Sequence, residues 1–343
     1  MGKVAERVTL AEIAGLAGVS SATVSKVLNG RDGVGQAVRE RVLALLDEHG
    51  YRRRGGERRK PVGLVDLVIR DLSSQWATEL VRGAEAEAAR AGAGLVVTAT
   101  NGRRVGNRHW FQHLTQRRTD GIVMVVSELH PGAEDELRRL NTPFVVVDPA
   151  GMGNPDLPTV AATNWAGGVA ATEHLLGLGH TRIGIITGPA DVVCARDRVE
   201  GYRSALQRAG LPVDESLVRY GDFHVGGGRR GAAELLALPD PPTAIFAGCD
   251  EQASGVYEVA RERGLRVPED LSVVGFDDIA LCHWVSPKLT TVRQPLHEMA
   301  REATRMVLDL GRADGATATR LELATSLVVR ESTAPPRKAP ARG

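Results

Sequence analysis

At 343 residues the chain is too long for one typical domain and long enough to bury more than one core. It has no apolar run near the roughly 18 residues that a membrane span needs and no charged-then-apolar leader at Met1, so a cytoplasmic protein without a membrane partner is expected. Its three cysteines, Cys194, Cys249 and Cys282, are odd in number, widely spaced and without a CxxC pair, which argues against a disulfide framework and a structural zinc site. The net charge of +1 hides an asymmetry. Residues 1–60 carry twelve Lys/Arg against seven Asp/Glu, whereas residues 61–343 carry thirty-one against thirty-five. The basic end is therefore the candidate for contact with nucleic acid. Within it, residues 1–51 balance at six against six, so the excess sits in Arg52, Arg53, Arg54, Arg58, Arg59 and Lys60.

In chain order, Thr9 stands where it can cap a helix whose apolar positions Leu10, Ile13, Ala14 and Ala17 follow helical spacing, and Gly18 supplies the stop. Ser20 is the next N-cap. Behind it, Val24, Val27 and Leu28 make one apolar stripe, while Ser21, Ala22, Ser25, Lys26 and Asn29 lie toward the other face. A third helix begins after the turn-rich Asn29 to Gly33, with Val38, Val42, Leu45 and Leu46 at helical spacing up to Gly50. Three short helices of this kind form a bundle whose second helix can present its N-terminal residues to base edges, because a major groove about 12 Å wide admits one helix.

The text VTLAEIAGLAGVSSATVSKVLNG followed by VRERVLALLDEHGY closely resembles the head of the LacI/GalR family of repressors. The resemblance implies that Ser21 and Ala22 stand where the family reads bases. It places Lys26 where the family usually has an arginine, and Thr9, Ser20, Thr23, Ser25 and Asn29 where it grips phosphates or caps helices. Lys26 gives up bidentate pairing to guanine but keeps a cation near the groove. After Tyr51 the chain departs from the family. In place of a hinge helix with a leucine for the minor groove it reads RRRGGERRKPVG, where Gly55 and Gly56 disfavour a helix. Arg52, Arg53 and Arg54 are instead expected to track phosphates or to enter a narrow minor groove.

From Pro61 onward, β-branched runs alternate with helical stretches, the pattern of βαβ units. Strands are expected at VGLVDLVI, GLVVTAT, GIVMVV, PFVVVD, RIGIITG, LVRYGD, TAIFAG and LSVVGFDD, with LELATSLVVR as a returning strand. The fold class is an α/β core of two doubly wound parallel-sheet lobes, similar to periplasmic binding proteins, with a small all-α helix-turn-helix domain at the N-terminus. The expected domains are a head at 1–51, a basic linker at 52–61, a two-lobed core at 62–333 and a disordered tail at 334–343. Lobe one is expected at 62–163 plus 278–292, and lobe two at 164–277 plus 293–333.

Resemblance to the same family extends through the core on LVRGAEAEAARAG, HLLGLGHTRIGIITGP, RVEGYRSAL, AGCDEQASGVYEVARERGLRVPEDLSVVGFDD and LTTVRQPLHEMA. It implies an effector cleft between the lobes near Trp76, Asp148, Asn164, Arg198, Phe223, Asp250 and Asp277. Trp284 is a further candidate and, with Trp165, can instead pack at a crossover. Aromatic faces and bidentate polar groups of this kind suit a pyranose.

An enzyme is the rival reading, NAD-dependent or sugar-processing, because GGGRRG at Gly226 to Gly231 formally matches GxGxxG with Asp250 about twenty residues on. That run, however, lies in the second lobe, where the landmarks place a helix after Phe223. HExxH, GxSxG and a phosphate loop are all missing from the sequence, and no cofactor or metal is expected. The reading is a sequence-specific transcriptional regulator, a repressor of carbohydrate-utilisation genes. It pairs as a homodimer or higher oligomer on operator DNA and responds to a sugar, or alternatively to a non-sugar metabolite. Replacing Arg52, Arg53 and Arg54 by glutamine is expected to reduce the slope of log K against log salt for operator binding by about one unit for each phosphate no longer neutralised, measurable by titration at several salt concentrations.

Overall fold

The computed structural model describes residues 8–28, 33–49, 62–101, 118–125, 142–148, 157–312 and 320–337. The chain divides into two compact units, Met1–Lys60 and Pro61–Gly343. In the first, α1 (Leu10–Ala17), α2 (Ser21–Leu28) and α3 (Gln36–Glu48) follow in the expected order. The start of α1 is set by a reciprocal capping box. The Glu12 amide donates to Thr9 Oγ1 at 3.3 Å and the Thr9 amide donates to Glu12 Oε2 at 2.6 Å, which holds the Glu12 carboxyl below its ordinary pKa. Gly18 ends the helix in the left-handed region, φ 65°, where a Cβ would be strained. The three helices meet on Ile13, Ala14, Ala17, Val24, Val42 and Leu46, all buried.

The second unit contains two six-stranded sheets. In the first lobe β1 (Leu64–Ile69), β2 (Gly94–Ala99), β3 (Gly121–Val125), β4 (Phe144–Val147), β5 (Thr159–Ala162) and β11 (Arg320–Leu323) are ordered β11-β5-β4-β3-β1-β2, all parallel. Helices α4 (Gln75–Arg90) and α10 (Leu296–Arg312) pack on this sheet and on each other, with Leu80, Ala84, Met299 and Ala303 in the shared core. In the second lobe β6 (Ile183–Thr187), β7 (Val218–Tyr220), β8 (Ala244–Ala247), β9 (Ser272–Asp277), β10 (Thr290–Arg293) and β12 (Ser326–Val328) are ordered β12-β10-β9-β8-β6-β7, with only β12 antiparallel among these.

Both faces of the second sheet are covered at its centre, which is why β6, β8 and β9 are mostly apolar and buried along their length. Ile183, Ile185, Phe246 and Val274 face α5 (Asn164–Gly177) and α6 (Val193–Arg208), while Ile186, Ile245 and Val273 face α7 (Val225–Leu235) and α8 (Asp250–Glu262). The side chains alternate with the two-residue period of a strand. Small residues let the helix pairs come together. A Cβ at Gly228 would lie 2.1 Å from the Gln252 carbonyl oxygen and one at Gly255 would lie 2.3 Å from that of Val225, so α7 and α8 touch backbone to backbone. The GGGRRG run is thus the interior of α7, packed against a helix and a strand, not a phosphate-binding turn.

The lobe assignments differ from expectation at the later crossings. The chain changes lobes at Thr163, at Gln294–Pro295 and at Ala324–Thr325, so β10 belongs to the second sheet, while α10 and β11 return to the first. LELATSLVVR is therefore two short strands in two sheets. The Thr163 and Thr325 side chains bond across this joint at 3.0 Å, and the Thr325 amide donates to Thr163 Oγ1 at 2.9 Å. Periodicity could not reveal the switch, because both halves of the run are strand-like. The segment after β9 has a divided allegiance. Ile279 and Leu281 pack into the core of the first lobe and Cys282 into that of the second, with the Leu281 amide donating to Gln75 Oε1 of α4 at 2.9 Å.

The tail is also corrected. Residues 334–337 are not free but strap the second lobe: the Ala334 amide donates to Ser272 Oγ at 3.0 Å and Arg337 pairs with Asp270. His180 Nε2 donates to the Ala334 carbonyl at 2.9 Å, which leaves Nδ1 to accept from the Thr243 hydroxyl at 2.8 Å. Burial pushes the pKa of His180, and of His174 against Thr333, below the ordinary histidine value. Below about pH 6.5 the unfolded chain takes up protons that the folded one refuses, so their stabilisation is present above that pH and is lost as the pH falls. The melting temperature is expected to drop between about pH 7.5 and pH 5.5, and to drop less in His180→Gln, as read by scanning fluorimetry.

Candidate functional site

The face of the head expected to read DNA is built on the first turns of α2. Ser20 Oγ accepts from the Thr23 amide at 3.1 Å, which orients the helix start, and Ser21, Ala22 and Lys26 are exposed while Val24 and Val27 are buried behind them. Thr23 and Ser25 are half-buried, and Thr9 serves the capping box of α1. Asn29, Tyr51, Arg52, Arg53 and Arg54, and with them the whole linker, lie outside the described residues.

In the core, a cleft opens between the carboxyl ends of the strands of the two lobes. Trp76 and Asp148 line it from the first lobe, and Arg198, Phe223 and Asp277 from the second. Three of these sit on strained backbone just past strand ends. Asp148 follows β4 at φ 47°, Phe223 lies beyond β7 at φ 62°, and Asp277 ends β9 at φ 115°. Left-handed φ at a phenylalanine is costly, and such strain persists where packing over-determines it. The Phe223 ring is held against Gly188, where a Cβ would lie 1.9 Å from the ring, and the Phe223 carbonyl accepts from Cys249 Sγ at 3.1 Å.

Arg198 is the centre of the site. It projects from α6, is 3% exposed, and lies with its guanidinium carbon 3.8 Å from the centre of the Phe276 ring. Nε and Nη2 donate to Asn164 Oδ1 at 3.0 and 2.9 Å, and Nη1 donates to the Gly248 carbonyl at 2.5 Å. Asn164 then donates from Nδ2 to Asp148 Oδ1 at 3.3 Å and to the Ala162 carbonyl at 3.2 Å. A continuous polar chain thus runs from the first lobe, through the Thr163 crossing, to the floor of the second. On the other side Gln294, at the second crossing, donates from Nε2 to Asp277 Oδ1 at 2.6 Å. Burial raises the pKa of Asp148 and of Asp277 above the usual carboxylate range, and the Arg198 charge opposes that rise at both.

The structure separates the remaining candidates from the cleft. Asn164 is 4% exposed and meets Arg198 and Asp148 from behind. Asp250 is fully buried, accepting from Thr291 Oγ1 at 2.6 Å and from the Ile279 amide at 3.0 Å, so it fixes the segment after β9; burial pushes its carboxyl up to about 7. Gly275 makes room for it. Trp284 is 70% exposed on the short α9 (Leu281–Trp284) and does not line the cleft; Trp165 is also exposed. Several lining residues went unread in the sequence: Asp71, Cys194, Asp222, His224 and Glu251. Each lies just past a strand or at the start of a helix, the positions that open α/β sheets present to a ligand, and that position was the only available signal. No group of three or more His, Cys, Asp or Glu among the described residues is arranged to hold a metal ion, and no described helix is long and apolar enough to cross a membrane.

Comparison with known proteins matches both units. Residues 9–54 fit the model of bacterial regulatory proteins, lacI family, and residues 172–333 that of the periplasmic binding protein-like domain. The ribose operon repressor of Escherichia coli (strain K12) is 36% identical over 305 residues, covering 88% of this chain and 92% of the relative. Among solved structures, a complex of the transcriptional regulator CelR with cellobiose superposes with a TM-score of 0.74 at 34% identity, over 95% of this chain and all of that one. The lac repressor dimer bound to operator and the anti-inducer ONPF does so with 0.72 at 27% identity, over 96% and 100%. With head and core both matched, and a relative more than one-third identical across most of both lengths, the chain belongs to the lacI family of bacterial regulatory proteins and is a DNA-binding transcriptional regulator.

Proposed function

We propose that this regulator represses genes of carbohydrate use from the bacterial cytoplasm, and that a small sugar in the cleft changes its affinity for operator DNA. Two chains pair so that two heads meet the half-sites of a pseudo-palindromic operator, since one head reads few bases. Ser21 and Ala22 read base edges, Lys26 adds a cation at the groove, and the arginines of the linker hold phosphates. In the cleft, Trp76 and Phe223 cover the apolar faces of the sugar ring, while Asp148, Arg198 and Asp277 bond its hydroxyls.

The observation that carries this reading is the Asp148–Asn164–Arg198 chain. It crosses the joint between the lobes and ends in groups that line the cleft. A ligand that bonds Arg198 and Asp148 together therefore acts on the relative position of the lobes, and operator affinity changes by the difference in its binding to the two states. The relatives support the ligand class, one being named for the ribose operon and one solved with cellobiose.

A thermal-shift screen of mono- and oligosaccharides tests the proposal, followed by titration of operator DNA with and without each hit. At least one sugar is expected to raise the melting temperature and to change operator affinity; if none does, the effector is not a sugar. Asn164→Ala leaves two guanidinium N–H groups of Arg198 without their acceptor. It is expected to cost about 3 kcal/mol of core stability by denaturant titration and to abolish the sugar response of operator binding.

A further inference from the structure

Hydrogen-bond supply in the cleft is one-sided. Arg198, the one deeply buried cation of its lining among the described residues, has five N–H donors, of which three are committed to Asn164 and Gly248. Arg70 is exposed at the rim, where solvent screens it. Against these stand the carboxylates of Asp71, Asp148, Asp222, Glu251 and Asp277. Asp222 is already met by the His224 amide and Arg230, and His224 Nδ1 lies 3.5 Å from Glu251 Oε2. Asp148 and Asp277 each have one oxygen engaged by a neutral side-chain amide. Gln294 spends its Nε2 on Asp277, and its Oε1 is buried without a hydrogen-bond partner among the described residues. Among the described residues of the lining, carboxyl acceptors thus outnumber the buried donors.

We propose that the cleft selects an uncharged or cationic polyhydroxylated ligand, rich in donors, and rejects its phosphorylated and carboxylated derivatives. This rests on the sugar reading above and narrows it. Hydroxyl and ammonium groups bring the donors that the free oxygens of Asp148, Asp277 and Glu251 lack. A phosphoryl group brings acceptors and about two negative charges, and a uronate brings one, into a site where, among the described residues, the one deeply buried cation has two N–H groups left to meet them. In a partly dry cleft such mismatches are amplified, because like charges repel more strongly there and unpaired polar groups are costly.

Isothermal titration of the full chain at fixed pH and salt tests this with matched pairs: D-ribose against D-ribose 5-phosphate, and D-glucose and D-glucosamine against D-glucose 6-phosphate and D-glucuronate. The tightest binder is expected among the neutral and amino sugars, with its phosphorylated or carboxylated counterpart weaker by at least about 100-fold. Glu251→Arg is expected to shrink that ratio by about tenfold or more. An anionic derivative that binds as tightly as its neutral parent overturns the inference and leaves the sugar reading standing. If neither series binds, the same pairing of a neutral sugar with its phosphorylated and carboxylated derivatives is made for the hit of the saccharide screen, and equal binding there overturns the inference.

Discussion

A guanidinium buried to 3% exposure in a two-lobed protein is the constraint around which the core is arranged. An isolated buried cation would be prohibitively costly, so Arg198 needs acceptors from every side and a π face beneath it. They come from separate parts of the chain: Asn164 at the first crossing, the Gly248 carbonyl past β8, and Phe276 in β9. These partners hold the second lobe to the joint, and Asn164 passes the connection on to Asp148 in the first lobe. Any ligand that competes for, or adds to, these bonds acts on both lobes at once.

Rigid packing around this centre lets the strand ends carry strain. Gly168 and Gly201 bring α5 and α6 together so closely that a Cβ at Gly168 would lie 2.4 Å from the Arg198 carbonyl oxygen. The backbone that bears Arg198 is therefore fixed by a neighbouring helix. Gly188 fixes the Phe223 ring in the same way, and Gly275 accommodates the buried Asp250. With the frame over-determined, Asp148, Phe223 and Asp277 can sit at positive φ beside the cleft. A loosely packed core would relax these residues into ordinary conformations and disperse the site.

Part of the candidate cleft is legible in the sequence. Trp76, Asp148, Arg198, Phe223 and Asp277 were named from family landmarks, and all five line one cleft. Asn164 and Asp250 were named on the same basis, yet they stand behind it, because a buried carboxylate or amide at a strand end can serve the backbone as readily as a ligand. Nothing in a string of residues states which way a side chain turns. Trp284 is a further candidate that the structure places away from the cleft, and its exposure on a four-residue helix reflects local geometry that the residue type does not encode. Gln294 went unnoticed, since its role exists only through Asp277, seventeen positions away.

Features that depend on neighbours along the chain can be read from the residues without a structure. Helical spacing, the Thr9 cap and Gly18 specify the head, and runs of β-branched residues between amphipathic stretches specify two wound sheets. Charge counts along the chain also show that the basic excess of the N-terminal sixty residues lies after the head. How the chain is shared between the lobes depends on long-range pairing. Residues 290–293 joined the second sheet, 296–312 and 320–323 returned to the first, and residues 334–337 bound to the second lobe. Strand partners and buried hydrogen bonds are chosen by groups far apart in sequence, and local periodicity is the same whichever sheet a strand joins.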